Sequence, residues 1–207
     1  MNAEARTELR ELLQKGVVWR GAALEQASAA VVPSGFDSLD EQMGGGWPQG
    51  ALSEIFSAQG LGFSLLLPLL AHLSRQQRWL TWVNPPHVPY APALEARQVD
   101  TARVLLVKAH DAQQRLWAAE QALRSGNCSL VLLWVEKVSA ASIRRLQLAA
   151  EENGCMGMLF RPLQQRQQAS MAALRLQVLP TEGGLEVQVL KRRAGWGGKP
   201  LKITCSG

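Results

Sequence analysis

Short apolar runs alternate with longer amphipathic segments along most of the chain, and this pattern predicts a layered α/β domain. The run at 129–135 is almost uniformly apolar, as is typical of a parallel strand that is covered on both faces. Other apolar runs predict strands at 51–56, 78–83, 103–107 and 155–160. The intervening amphipathic pattern predicts helices at 64–77, 111–124 and 139–153.

Near the carboxyl terminus the pattern changes to two adjacent strands, 172–179 and 185–190, joined by Pro-Thr-Glu-Gly-Gly. This spacing is typical of a β-hairpin, and a last strand is predicted at 201–204. The whole order predicts a mostly parallel sheet with helices on both faces and an antiparallel C-terminal hairpin at one edge. We divide the chain into an N-terminal helix and linker, 1–32, and a core, 33–207.

The N-terminal part predicts a short amphipathic helix at 3–14, followed by an extended segment that contains Trp19 and an Ala/Ser-rich linker at 21–32. Leu9, Leu12 and Leu13 share one face of this helix. The helix either packs back on the core or docks in a groove of a partner protein. In the second case, Leu9, Leu12, Leu13 and Trp19 are the candidate partner-binding residues.

Composition narrows the class of protein. The 207 residues are 47% hydrophobic with a net charge of +5, and they contain no apolar run long enough to span a membrane. The charged start of the chain lacks a signal sequence, so we expect a cytosolic protein. Three widely spaced cysteines predict reduced core thiols, and three scattered histidines offer no metal-ligand spacing.

The loop after the first predicted strand lies where a phosphate-binding loop would lie in a nucleotide-binding domain. A functional loop ends in Gly-Lys-Ser/Thr, whose lysine neutralises phosphate charge and whose hydroxyl binds Mg²⁺. Here the corresponding residues are Gly62-Phe63-Ser64, so the cation is missing. We therefore expect a degenerate loop, with no bound cofactor, built from Ser57, Gly60, Gly62, Phe63 and Ser64.

Three features resemble the start of a RecA-type ATPase core: Ser-Gly-Phe-Asp-Ser-Leu-Asp at 34–40, a glycine-rich turn ending in Pro-Gln-Gly, and a strand with Glu54 before the loop. The resemblance implies that Pro86 replaces the catalytic glutamate, Trp134 the metal-binding aspartate and Arg161 the polar sensor. It therefore implies no catalytic residue and no metal site. A genuine ATPase would need a cation from elsewhere in place of Phe63.

The sequence allows two interpretations for each of three further features. Glu136 is either a displaced substitute for the metal-binding aspartate or a solvated residue at a strand end. The proline-rich segment 84–89 either binds a ligand or turns a corner. The Gln/Arg-rich loop 161–168 either contacts phosphates or is simply solvated, which is the interpretation we favour.

Residues 191–202 contain five cations and no acid. In RecA-like proteins such a cluster faces the nucleotide or DNA of a neighbouring subunit; alternatively, the charge protects an exposed sheet edge from pairing. The first interpretation predicts weak, salt-sensitive binding to nucleic acid or a partner. The candidate residues are Lys191, Arg192, Arg193, Lys199 and Lys202.

Val-Trp-Arg-Gly at 18–21, Gly-Gly-Gly-Trp-Pro-Gln-Gly at 44–50 and Leu-Lys-Arg-Arg-Ala-Gly-Trp at 190–196 together resemble the ImuA family. This resemblance implies an adaptor in SOS-induced translesion synthesis that binds RecA and ImuB, and self-association is left open. The alternative is a SulA-like division inhibitor that binds FtsZ. SulA-like chains are typically shorter and lack the Val-Trp-Arg segment and the basic C-terminal hairpin.

Overall fold

The computed structural model describes residues 30–58, 60–193 and 195–204, without the side chain of Trp196. The predicted N-terminal helix lies outside the described residues, as do Leu9, Leu12, Leu13, Trp19 and Cys205. Their assignment to partner binding therefore stays a prediction, as does the domain division at residue 32. Val31 and Val32, which we placed in the linker, form strand β1 (Val31–Val32) and pair with β2 (Trp47–Pro48).

Within the described residues the main sheet has nine strands. They are β3 (Leu52–Phe56), β4 (Trp79–Val83), β5 (Val104–Val107), β6 (Cys128–Trp134), β7 (Met156–Arg161), β8 (Leu174–Thr181), β9 (Gly184–Arg192), β10 (Gly195–Trp196) and β11 (Leu201–Ile203). Their spatial order is β10-β9-β8-β3-β7-β6-β4-β5, and β11 also pairs with β9.

Strands β3 to β8 pair in parallel, whereas β9 runs antiparallel to β8, β10 and β11. The turn between β8 and β9 is formed by Glu182 and Gly183, within the predicted hairpin signal. The predicted mostly parallel sheet is confirmed.

Five α-helices cover the two faces of the sheet in the described part of the chain. They are α1 (Asp37–Met43), α2 (Leu67–Ser74), α3 (Ala91–Ala96), α4 (Ala112–Arg124) and α5 (Ala140–Glu152). Leu130 and Leu132 of β6 belong to the core beneath α1, α2 and α3, whereas Val131 and Leu133 belong to the core beneath α4 and α5. This alternation explains why the strand is apolar at consecutive positions, and it confirms helices on both faces.

The helix boundaries follow local chemistry. Asp111 accepts a hydrogen bond from the backbone N–H of Gln114 at 2.8 Å, and Ser139 accepts one from Ser142 at 3.1 Å, so both residues act as N-caps. The helix predicted at 64–77 begins instead as a 3₁₀ turn (Phe63–Leu66), and α2 follows with a proline in its first turn. A proline fits there because the first N–H groups of a helix have no intrahelical partner.

No helix in the described ranges is long and apolar enough to cross a membrane. The same residues contain no cluster of three or more histidine, cysteine or acidic side chains that could hold a metal ion.

Candidate partner-binding groove at the degenerate phosphate loop

The loop that we predicted to be a degenerate phosphate loop begins where β3 ends, and strands β4 and β6 of the same parallel sheet end on the same side. Carboxyl ends of parallel strands form the edge at which α/β proteins bind their ligands. Gly60 and Gly62 adopt left-handed backbone conformations, with φ of 77° and 98°. The structure thus brings Ser57, Gly60, Gly62, Phe63 and Ser64 together at the ligand edge of the sheet, as one compact turn.

Phe63, which we predicted at the position of a phosphate-loop lysine, has a packing role. Its ring contacts the indole of Trp82 edge-on, with centroids 5.1 Å apart and an interplanar angle of 73°. Edge-to-face contact of this kind is a favoured arrangement for aromatic pairs. Phe63 is therefore packed against the apolar core beneath α2.

Trp134 and Pro86 also contact the loop. The indole of Trp134 stacks on the ring of Phe160, with centroids 4.8 Å apart and planes 3° apart. A Cβ added to Gly60 would lie 2.9 Å from the Trp134 nitrogen and 3.4 Å from Cγ of Pro86. Two apolar rings from β6 and the β4–α3 connection therefore lie directly against the loop.

These side chains line an open apolar groove of about 660 Å³ between the loop, α2 and the β4–α3 connection. Val88 and Tyr90 form its outer wall with 86% and 72% of their surface exposed. A concave, exposed apolar surface of this kind marks a ligand or partner site. We call it the apolar groove; its main apolar lining residues are Leu61, Phe63, Trp82, Pro86, Val88 and Tyr90.

The proline-rich segment 84–89 has a defined place in this groove. Pro85, Pro86 and Pro89 all line it, together with His87 and Val88. The segment is therefore more than a corner between two elements, because it forms one wall of the groove. Val88 and Tyr90 were not named as site residues from the sequence. The available signal was a pair of large apolar side chains among prolines.

Arg161 is buried, so our favoured interpretation of 161–168 as a solvated loop is wrong at its first residue. Its guanidinium donates to Glu54 in the core of the sheet and to the side chain of Gln168. Nε of Arg175 donates to the other Glu54 oxygen at 2.8 Å. Both guanidinium groups also lie over the ring of Phe56, 5.4 and 4.8 Å from its centroid.

Arg161, which we expected at the position of a RecA-like sensor, is therefore part of a buried ion-pair cluster. One carboxylate is shared by two arginines, and burial of such charges is tolerated only when they are paired and hydrogen-bonded. Arg175 was missed, although a single arginine within the apolar strand β8 was a signal that it needed a buried partner. Glu136, in contrast, is exposed, as expected of a solvated strand end.

The five predicted basic residues do not form one free surface, because some of them contact other parts of the domain and others are exposed. Nζ of Lys191 donates to the backbone carbonyl of Ser170 at 2.9 Å, and Arg193 pairs with Glu151 at 3.5 Å. Arg192 is half-buried against Gly195, whose added Cβ would lie 2.5 Å from Nε of the arginine. Lys199 and Lys202 are exposed. Nucleic-acid binding stays a prediction.

Burial lowers the pKa of Lys191, and the nearby Arg175 guanidinium acts in the same direction, while Glu54 opposes them. The ammonium group thus borders the buried Glu54 cluster and is part of the packing of the hairpin on the sheet.

Comparison with known proteins gives a consistent family. The model of the family described as "Cell division inhibitor SulA" matches residues 50–157. A cell division inhibitor SulA of Edwardsiella piscicida is 40% identical over 115 residues, which are 55% of this chain and 68% of the relative. SulA of Yersinia pestis (strain Pestoides F) is 35% identical over 99 residues, 48% of this chain and 59% of the relative. The crystal structure of SulA from Pseudomonas aeruginosa, 31% identical, covers 54% of this chain and 97% of that one, with a TM-score of 0.46.

The family match and the two sequence relatives overturn the prediction of a translesion adaptor that binds RecA and ImuB. The motifs that suggested ImuA lie at 18–21, 44–50 and 190–196, at or beyond the limits of the matched region 50–157. The shared core, which contains the loop and the whole apolar groove, matches the alternative family instead. The chain belongs to the SulA family of cell division inhibitors.

Proposed function

We propose that this protein inhibits cell division by binding the tubulin-like division protein FtsZ, as part of the SOS response. The observation that carries this proposal is the family match over 50–157, which includes every residue lining the apolar groove. Inhibition by binding needs no chemistry at the site, only a surface that covers part of the target. The protein would act in the cytosol, where FtsZ assembles.

We further infer that the core is a RecA-type framework that does not hydrolyse ATP. Catalysis of phosphoryl transfer depends on cations and metal ligands placed around the transferred phosphate. Phe63, Pro86 and Trp134 supply apolar rings at three of those positions, and Arg161 is engaged with Glu54. The framework is then retained for its surface.

The apolar groove is the contact surface that we infer for the target. Val88 and Tyr90 are large side chains left exposed at the rim of a concave site, and burying them in a complex would stabilise it. The rigid prolines of segment 84–89 would limit the entropy lost on binding.

The test is a sedimentation and GTPase assay of purified FtsZ with increasing amounts of this protein. We expect FtsZ polymer to decrease in proportion to the amount added and to vanish near equimolar ratio, because inhibition is by stoichiometric binding. RecA and ImuB serve as controls, and neither should be retained in a pull-down. Unchanged polymer and GTPase activity at excess inhibitor would contradict the proposed function.

A further inference from the structure

A second cavity, of about 530 Å³, adjoins the apolar groove at the carboxyl ends of β3, β6 and β7. Gly60, Pro86 and Trp134 line both spaces, so the two form one continuous site. Its lining is also largely apolar, but it includes more polar side chains than that of the groove. We call it the donor cavity; its polar lining residues include Ser57, Arg115, Trp134, Glu136 and Arg161.

Four hydrogen-bonding atoms of the donor cavity are buried and have no partner within the described chain. They are Oγ of Ser57, Nε of Arg115, Nε1 of Trp134 and Nε of Arg161. Ser57 and Arg161 are both 2% exposed as whole residues. Buried polar groups are almost always paired, and an unpaired one costs about 1–3 kcal/mol.

The chemistry of these atoms indicates what is missing. Three of the four are N–H groups of arginine or tryptophan, which can donate but cannot accept a hydrogen bond. The hydroxyl of Ser57 can also donate. A group that pairs with these atoms is therefore a hydrogen-bond acceptor, and one with several lone pairs, such as a carboxylate, can pair with more than one of them.

Charge favours the same group. The cavity is lined by two arginines and one glutamate, an excess of one positive charge. Arg175, behind Arg161, is matched by Glu54, so the buried cluster leaves this excess unchanged. A carboxylate would neutralise it, whereas a doubly charged phosphate would leave a negative excess in a partly desolvated space.

We propose that the apolar groove and the donor cavity together bind a segment of the partner in which a large apolar side chain lies next to an acidic side chain. The apolar side chain enters the groove, and the carboxylate accepts from Trp134, Arg115 and Ser57 in the donor cavity. Guanidinium–carboxylate hydrogen bonds are among the strongest available for such recognition. This inference deepens the proposed function and names the feature of the target that the site selects.

The first test uses peptides, without FtsZ. Acetyl-Leu-Asp-amide is titrated into the ¹⁵N-labelled protein while the indole N–H signal of Trp134, assigned with Trp134→Phe, is followed. We expect this signal to move, and acetyl-Leu-Asn-amide to need a concentration about tenfold higher, because it lacks the charge. An equal response to both peptides, or none, would overturn the proposal. A larger response to inorganic phosphate would also overturn it, by showing a general anion site.

The second test uses FtsZ and compares Arg115→Gln with Arg144→Gln, which removes an equal charge from an exposed position on α5. We expect Arg115→Gln to weaken FtsZ binding about tenfold and Arg144→Gln to leave it unchanged. If the unaltered protein binds FtsZ and Arg115→Gln binds equally well, the donor cavity has no role and the proposed function stands. If the unaltered protein does not bind FtsZ, the proposed function fails, and the peptide titration still decides whether the site exists.

Discussion

Gly60 lies so close to Trp134 that a Cβ at the glycine would be 2.9 Å from the indole nitrogen. The two residues come from the loop after β3 and from the end of β6, and Trp134 is held in turn by its stack on Phe160. The conformation of the degenerate loop and the position of the indole therefore depend on each other. A tryptophan at position 134 requires a glycine opposite it in the loop.

Gly60→Ala should lower the free energy of unfolding by about 2–4 kcal/mol, since it adds a steric clash to the strain of a left-handed alanine. The matched control is Gly183→Ala, which has a similar φ of 81° but no heavy atom within 4 Å of the added Cβ. The control should lose only the strain, about 1–2 kcal/mol. Urea unfolding measures both, and equal losses would show that the Gly60–Trp134 contact is unimportant.

Glu54→Gln should destabilise the protein by about 3–5 kcal/mol, because it leaves Arg161 and Arg175 buried without their shared counter-charge. Glu182→Gln, in the exposed turn between β8 and β9, is the control and should change stability by less than about 0.5 kcal/mol. Urea unfolding followed by circular dichroism compares them. A loss for Glu54→Gln no larger than for the control would contradict a structural role for the cluster.

The sheet could be predicted because local pattern determines it. The run at 129–135 is apolar at consecutive positions only because both faces of β6 are covered, and capping residues such as Asp111 mark helix starts without any tertiary information. The C-terminal hairpin is predicted by its turn residues. Each of these signals lies within a few positions of the feature it predicts.

The site could not be predicted in the same way, because its contacts join distant parts of the chain. Glu54 and Arg161 are 107 positions apart, and they meet because β3 pairs with β7 in a register that places Phe56 opposite Arg161. The groove likewise needs Val88 and Gly60 on the same edge of the sheet. Phe63, Pro86 and Trp134 could be named one by one from the sequence, but not the surface that they form together.

Cys155 should make the protein less stable in alkaline solution. Burial raises the pKa of its thiol from 9.0 to about 12, with the nearby Cys128 acting in the same direction. Below pH 9 the thiol is protonated in both folded and unfolded chains, and its contribution to the free energy of unfolding is fully present. Between about pH 9 and pH 12 only the unfolded chain ionises, so the free energy of unfolding should fall by about 1.4 kcal/mol per pH unit.

The measurement is urea unfolding of the unaltered protein and of Cys155→Ala at several pH values from about 8 to about 10.5. Other groups also titrate in this range, so the expected result is a steeper decline for the unaltered protein than for the variant. Parallel declines would mean that the thiol ionises equally in both states.

On the RecA-type framework proposed above, Phe63→Lys supplies the cation of a functional phosphate loop but should not produce ATP hydrolysis. The new ammonium would have no metal-binding aspartate opposite it, because Trp134 occupies that position, and Pro86 offers no base for water. Phosphate release from Mg-ATP by the unaltered protein and by the variant should equal that of buffer. Turnover that persists through purification and disappears in Gly62→Asp would show that the framework retains an active site.

Val88→Asp and Tyr90→Ala should each weaken FtsZ binding by about tenfold or more, because they remove exposed apolar surface at the groove rim. Both side chains project from the surface, so neither substitution should change the unfolding midpoint noticeably. The control is Leu148→Asp, since Leu148 is 51% exposed on α5, in the layer that covers the opposite face of the sheet. That variant should bind FtsZ normally. Sedimentation with FtsZ measures binding of all three variants. If Leu148→Asp loses binding and the groove variants keep it, the contact lies on the α4–α5 face and the groove is refuted as the target-binding surface.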